Sequence, residues 1–510
     1  MIARIATALL CTAAPVALLA QEVDLRSPDE FISVSGEIVG YNGVMLRVET
    51  LVGTISVPAS EVICYGEGCL EVLASNDFGL SETDLAGVQA GGDEADIQTA
   101  AATGDLTVGF ANAANAAIYN ALAETYAASG EGAALSEAAE GDTADINLET
   151  VALNGSGDVA YTGPSGWSGP NSAMSHQLLG VDGLTVQIAQ NVGLDQISIA
   201  DLGRVFSGEV TNWSQIGGAD LAVLGLRLPD TAPLQQQINA LILAPQGLSM
   251  ANGILAMGDE RGIAASVNQF PGSISIVSSD AANPDLAVPI VGSCGIAVSN
   301  TPFNVLSGDY PLVRPVMATY AAGQTTGPAV GLFDFAATDA GQAAMAQVGL
   351  PDFSAVKQGG MEKNARLNGL LNATLDDDQR VAAAQMFQQL LSMDRLSTTF
   401  FGGAVTGPQA AWNRAMMRDL RDAAASGDYA GRELVFVGFA ESGGESRAAI
   451  AASVQAASDM GAAFEAAAGS ALAAGDVNVA TLGFGNIALT SCIDGPDDAA
   501  PATRVEVWLR

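Results

Sequence analysis

From about residue 105 to 353, apolar runs of strand character alternate with runs of helical character. They read "LTVGFAN", "AIYNALAETYAAS", "DVAYTG", "LTVQIA", "ISIADLGRVFSG", "LAVLGLRL", "LQQQINALILA" and "ISIVSS". Strands and helices in alternation bury their apolar faces by laying helices over a sheet. The pattern therefore predicts an α/β domain with mostly parallel strands. A stretch of about 250 residues is large for one sheet and comfortable for two lobes.

The flanks read differently. Residues 1–20 have the form of an export signal, with Arg4, an apolar run broken by Pro15, and a cleavage point at Ala20-Gln21. Residues 22–72 contain period-two alternation over 31–57 and a hairpin signal at Asn42-Gly43, which predicts a small β module. Residues 73–104 are small, polar and acidic, and read as a linker. Residues 354–394 are amphipathic, with Leu367, Leu370 and Leu371 at helical spacing, and read as a helical connector. Residues 395–510 return to strand–helix alternation around an Ala-rich helix, 446–473.

Charge and cysteine usage exclude whole classes of function. The 510 residues carry 19 basic and 56 acidic side chains, a formal charge of −37, and Lys357 and Lys363 are the only lysines. No basic stripe exists to hold nucleic acid. His176 is the single histidine, and there is no CxxC, so a zinc centre or a Cys/His nucleophile pair is not expected. No G-x-S-x-G is present, and the chain is read as a binder, not an enzyme, with no cofactor and no metal. After export four cysteines remain in an oxidising compartment. Cys64 and Cys69 flank "YGEG" and can bridge across a tight turn, whereas Cys294 and Cys492 pair with each other or stay free.

One stretch concentrates turn and aromatic signals: "VFSGEVTNWSQIGG", 205–218. It predicts a short helix, Ile199 to Phe206, stopped by Ser207-Gly208, then a corner closed by Gly217-Gly218 and anchored by Phe206 and Trp213. The same stretch resembles periplasmic phosphate-binding proteins (PstS-like receptors), which carry F-S-G-x-I-T-N-W-x-x-[IV]-G-G at this point. "LLGVDGLTVQIAQNVGLDQISIADL", "PGSISIVSS", "DYPLVRPVMATY" and "FDFAATDAGQAAMAQVGLPDF" resemble further segments of that family, together covering 105–353. The resemblance implies two α/β lobes joined by crossover strands, a ligand cleft between them, and an inner-membrane ABC permease as partner. "ELVFVGFAESGG", "VATLGFGNIAL" and "TRVEVWLR" resemble an OmpA-like domain over 395–510, which implies an α+β module that grips peptidoglycan at the cell envelope.

The resemblances also point to site residues, with departures. The first ligand loop is "GFANAANAA", where Asn112 and Asn115 replace hydroxyls. The second is "YTGPSGWSG", with Thr162 and Ser165 but no arginine. The third is "RLPDTAPLQQQ", which keeps Arg227 and Thr231 while Ala232-Pro233 replaces Gly-Thr. Proline there deletes an N–H donor. Each lost charge-assisted hydrogen bond removes about 1.5–3 kcal/mol, so tight phosphate capture is not expected, and a different small solute, or none, is. In the OmpA-like segment Glu441 keeps the acid and Arg504 one basic position, but Ala456 stands where the family's helix arginine grips diaminopimelate. The expectation is a periplasmic solute-binding protein oriented by an OmpA-like module. The alternative is an envelope scaffold whose two sites have both decayed.

Overall fold

The structure is a computed structural model that describes residues 22–26, 33–41, 45–50, 53–58, 63–65, 106–110, 113–129, 135–138, 144–153, 159–162, 174–291, 297–321, 331–332, 335–372, 377–402, 407–440, 446–487 and 503–510. It divides into two compact units, Met1–Asn76 and Asp77–Arg510.

The first unit is a five-stranded sheet of β1 (Glu22–Arg26), β2 (Ser33–Tyr41), β3 (Met45–Thr50), β4 (Gly53–Pro58) and β5 (Ile63–Tyr65), in the order β4-β3-β2-β1-β5. Its pairings are antiparallel, β2 with β3 among them, and the Asn42-Gly43 turn expected from the sequence lies outside the described residues.

In the second unit a nine-stranded sheet runs through two lobes. The first lobe takes β6 (Leu106–Phe110), α1 (Ala113–Ser129), β7 (Leu135–Glu137), β8 (Ile146–Leu153) and β9 (Val159–Thr162). The long strand β10 (Met174–Ile188) then carries the chain into the second lobe. That lobe comprises β11 (Ile197–Ser198), α2 (Ile199–Phe206), β12 (Leu224–Arg227), α3 (Pro233–Ile238), β13 (Leu255–Ala256), α4 (Glu260–Val267), β14 (Ser273–Ser278), β15 (Ile290–Val291), β16 (Ala297–Val298) and α5 (Pro302–Leu306). Strand β17 (Val313–Ala321) returns to the first lobe, where α6 (Asp339–Gln347) packs on α1. The main sheet reads β13-β12-β14-β10-β17-β8-β6-β7, with β9 beside β8. It is mixed, not mostly parallel. The two crossing strands pair antiparallel with each other, and β10–β14 and β17–β8 are antiparallel too. A chain that leaves one lobe and comes back must reverse direction at the crossing, which the local alternation of strand and helix does not reveal.

The helix expected over 199–206 spans Ile199–Phe206, with the Ser198 side chain accepting from the Asp201 N–H at its N-terminus. Phe206 and Trp213 are fully buried, and the Trp213 indole N–H donates to the Gly272 carbonyl at 2.8 Å. Gly272 has φ +75°, and a Cβ there would sit 2.2 Å from the Ala222 carbonyl oxygen, so only glycine permits this approach. The corner between 205 and 218 therefore braces the start of β14.

The last third of the chain packs onto the second lobe. It consists of α7 (Gly360–Asn372), α8 (Asp377–Leu390), β18 (Asp394–Phe401), α9 (Gly407–Ser426), β19 (Glu433–Ala440), α10 (Ser446–Ala468), α11 (Ser470–Gly475), β20 (Asn478–Gly483) and β21 (Thr503–Leu509). Its four strands run β18-β21-β19-β20, with β19–β20 parallel and β21 antiparallel to both of its neighbours. On one face Val435, Val437, Phe439 and Trp508 pack with Leu367, Met386 and Leu390 of α7 and α8. The segment read as a connector thus forms a layer of this sheet. On the other face Leu434, Phe436, Val505 and Val507 join Trp412, Met416 and Phe464 in a core continuous with Leu178, Val205 and Trp213 of the second lobe. The first lobe keeps a separate core around Val108, Ile118, Leu148 and Leu332.

A buried charge cluster crosses this junction. Asp309, in the loop before β17, pairs with Arg395 of β18 and, at 2.5 Å, with Arg504 of β21. Glu506 pairs with Arg366 of α7 at 2.5 Å, Arg395 at 2.9 Å and Arg504 at 3.2 Å. Burial pushes both carboxyls up, but the three guanidinium groups outweigh it. They hold Asp309 well below the usual carboxylate range and Glu506 at about 2. Gly308, with φ +68°, lets the loop meet Phe401, whose ring would lie 2.6 Å from a Cβ.

Two predictions follow from these charges. Asp309→Asn leaves three buried guanidinium groups to the single carboxylate of Glu506 and should destabilise the fold by about 3–5 kcal/mol, read as a lower urea midpoint. Because both acids are depressed in the folded state, their contribution is present above their ordinary values and lost as pH falls. For Glu506 that window runs from 4.5 down to about 2, and a stability flat across it would contradict the cluster. Asp419 of α9 behaves oppositely. Burial, then Asp422 and Asp352, lift its carboxyl to about 7. The fold keeps that proton where the unfolded chain has lost it, so stability declines as pH rises through the window. Asp419→Asn should remove this decline and raise the melting temperature above neutral pH, as calorimetry on both forms would show.

Candidate functional site

The two crossing strands place opposite charges side by side. Asp182 of β10 and Arg314 of β17 face each other in register, each flanked by apolar neighbours. Both are buried, and the guanidinium donates to the Asp182 carboxylate. It also donates to the Ser278 hydroxyl at the end of β14, 3.2 Å, and to Gln237 Oε1 of α3, 3.0 Å. Ser278 in turn donates from its N–H, 2.9 Å, and its hydroxyl, 2.5 Å, to Glu260 at the start of α4. One polar chain therefore links both crossing strands to the C-terminal ends of the second lobe's strands, where ligands of α/β sheets collect.

A cleft of about 490 Å³ opens above this chain, between the lobes. Ile118 of α1, Val316 of β17 and Leu350 wall it on the first-lobe side, with Leu228 and Leu234 opposite. Its polar groups include Asp182, Ser278 and Arg314 at the base, and Asp259, Glu260, Arg261 and Asp280 around it. Burial first, then the charges of Asp182 and Glu260, push the Asp280 carboxyl up, with Arg261 opposing. An apolar-walled space of this size with a few convergent polar groups is the usual form of a small-molecule site.

The residues singled out from sequence fare unevenly. Arg227 ends β12, but it is not among the residues lining the cleft. Its guanidinium pairs with Asp230 at 2.6 Å and donates to the Leu228 carbonyl at 3.0 Å, both within its own loop. Thr231 is exposed, while the following Ala232 and Pro233 do line the cleft. Asn115 lies on α1, Thr162 on β9 and Cys64 on β5, with side chains outside the described residues. Asn112, Ser165, Glu441, Cys69, Cys294 and Cys492 lie outside the described residues altogether. Arg504 is 2% exposed and engaged by Asp309 and Glu506, so its guanidinium is not presented to a cell-wall ligand. Sequence reasoning passed over Asp182, Arg314, Glu260 and Asp280. The available signal was a lone acid in "LLGVDGLTV" and a lone base in "PLVRPVM", each set within an apolar strand. Among the described residues no group of His, Cys, Asp or Glu is arranged to hold a metal ion, and no helix is long and apolar enough to cross a membrane.

Part of this chain is similar to known proteins. Residues 87–338 match the PBP superfamily domain. The phosphate-binding protein PstS of Bacillus subtilis (strain 168) is 25% identical over 210 residues, which is 41% of this chain and 63% of that protein. The chain thus spans under two thirds of that relative's length. Among solved structures, an ABC-type phosphate transport receptor from Vibrio cholerae aligns at 16% identity and TM-score 0.40, covering 48% of this chain and 99% of its own. PstS from Borrelia burgdorferi aligns at 12% identity and TM-score 0.38, covering 49% and 98%. The family match thus falls on the central part of this chain, residues 87–338, which is similar to the PBP superfamily domain.

Proposed function

We propose that the chain is an exported, non-catalytic receptor that closes its two lobes over a small polar solute and works with an ABC-type importer. The observation that carries this reading is the cleft itself, floored by a buried, hydrogen-bonded chain on the two strands that join the lobes. Any rotation of one lobe against the other must bend these strands, so occupancy and closure act on the same residues. High-affinity capture of phosphate fits the geometry less well. Arg227 on the third ligand loop is held by Asp230, and Arg314 at the base of the cleft is held by Asp182, which leaves Arg261 among four carboxylates.

A second reading, an envelope scaffold, draws on the junction between the second lobe and the C-terminal third. A continuous apolar core and five buried charged groups make that junction permanent. A fold kept for protein contacts needs such rigidity more than a receptor does. In this reading a grip on peptidoglycan would rest on Glu441 without the guanidinium of Arg504.

Two measurements separate the readings. A ligand at a hundredfold excess over its Kd stabilises a protein by about 2.7 kcal/mol. The receptor reading expects at least one polar metabolite to raise the melting temperature of the full chain by a few degrees. A flat response across oxyanions, neutral solutes and cations favours the scaffold. On purified peptidoglycan we expect the chain to remain in the supernatant, and co-sedimentation that free diaminopimelate abolishes would restore a cell-wall role.

A further inference from the structure

The cleft contains a cation whose charge is already used. Arg314 is 6% exposed, and both of its terminal nitrogens donate to protein acceptors: Nη2 to Asp182 and Ser278, Nη1 to Gln237. Beyond that pair the cleft is lined by three more carboxylates, Asp259, Glu260 and Asp280, against one further cation, Arg261. Four acids against two arginines leave a formal balance of −2. Asp259 is partly occupied in capping α4, where it accepts from the Gly262 N–H at 2.7 Å, and Glu260 accepts from Ser278. Asp280 stands exposed on the cleft wall, close enough to Asp182 and Glu260 to feel both charges.

We propose that this cleft takes a small organic cation, bearing an ammonium, guanidinium or quaternary nitrogen, and that Asp182 sets this choice by occupying Arg314. The proposal rests on the receptor reading above and goes beyond it by naming the ligand class. A dianion entering here meets Asp259, Glu260 and Asp280 with Arg261 as the one guanidinium outside the Asp182–Arg314 pair, and a surplus of like charge opposes binding. A cation placed beside Asp280 and Glu260 relieves their mutual repulsion instead. The apolar wall of Ile118, Leu228, Leu234 and Leu350 suits the carbon skeleton that carries such a charge.

The test is calorimetric titration and thermal shift of the full chain with arginine, putrescine and choline as cations, inorganic phosphate and sulfate as anions, and glucose as a neutral control. We expect at least one cation to bind ten times more tightly than either anion. Asp280→Asn should weaken that cation tenfold or more. In Asp182→Asn the guanidinium is released, and phosphate should now raise a melting temperature that it leaves unchanged in the parent chain. Because losing half of a buried pair can prevent folding, Asp280→Lys at an exposed position serves as the second variant, and it should lose the cation and gain affinity for phosphate. Binding of an anion or of glucose in preference to every cation overturns the proposal and leaves the receptor reading standing. Equal cation affinity in the parent, Asp280→Asn and Asp280→Lys forms removes the cleft acids from the explanation. Silence from all six probes, with no small molecule recovered by mass spectrometry from protein purified out of its host, overturns the receptor reading and the proposal together.

Discussion

The antiparallel pairing of β10 with β17 is the constraint on which the second unit is built. Strand β10 is 15 residues long, and its two ends serve different lobes: 174–183 pair with β17 and 184–188 with β14. Everything else in the two lobes is hung from these strands. They give the first lobe its edge through β8 and the second its edge through β14. They also fix the separation of Asp182 and Arg314 to that of cross-strand partners, so the central charges of the cleft are positioned by backbone hydrogen bonding and not by flexible loops.

The C-terminal third extends this logic to a second attachment. Helix α9 lies against β10, and the loop holding Asp309 runs directly into β17. The Tyr310 hydroxyl donates to the Leu184 carbonyl at 2.5 Å, which ties the same loop back to β10. The module that looks separable in the linear chain is therefore fastened to the two strands that would flex on closure. Buried charge clusters of this kind contribute little net stability compared with an apolar substitute, but they penalise every arrangement that leaves one member unpaired. The consequence is a single allowed seating of the C-terminal third on the second lobe.

What the sequence disclosed was local. The helix Ile199–Phe206, its Ser207-Gly208 stop and the corner anchored by Phe206 and Trp213 are written in adjacent residues, while the caps at Ser198 and Asn212 came from the structure. The alternation of apolar runs located β6, β9, β10, β12 and β14 but passed over β8 and the short strands β7, β13, β15 and β16. What it withheld was pairing at a distance. Arg314 and Asp182 are 132 residues apart, and Arg504 and Asp309 are 195 apart. An arginine in a strand carries no mark of the carboxylate it will meet. For the same reason Arg504 looked available for a ligand when Asp309 had already taken it, whereas the partner of Arg227, Asp230, lies three residues on in the same loop and was legible there. Leu367 is buried as the amphipathic pattern expects, with the side chains of Leu370 and Leu371 outside the described residues, but the pattern did not name the sheet that covers it.

The shared core has a bearing on how such a chain can be divided. A polypeptide ending near residue 353 would keep both lobes and the cleft by sequence count. It would also strip the cover from Leu178 and the neighbouring residues of the second lobe's core, and leave the Asp309 carboxylate without either guanidinium. Such a fragment should be sticky and poorly behaved even though every residue lining the cleft is present. In this molecule the boundary drawn by homology and the boundary drawn by cooperativity fall in different places.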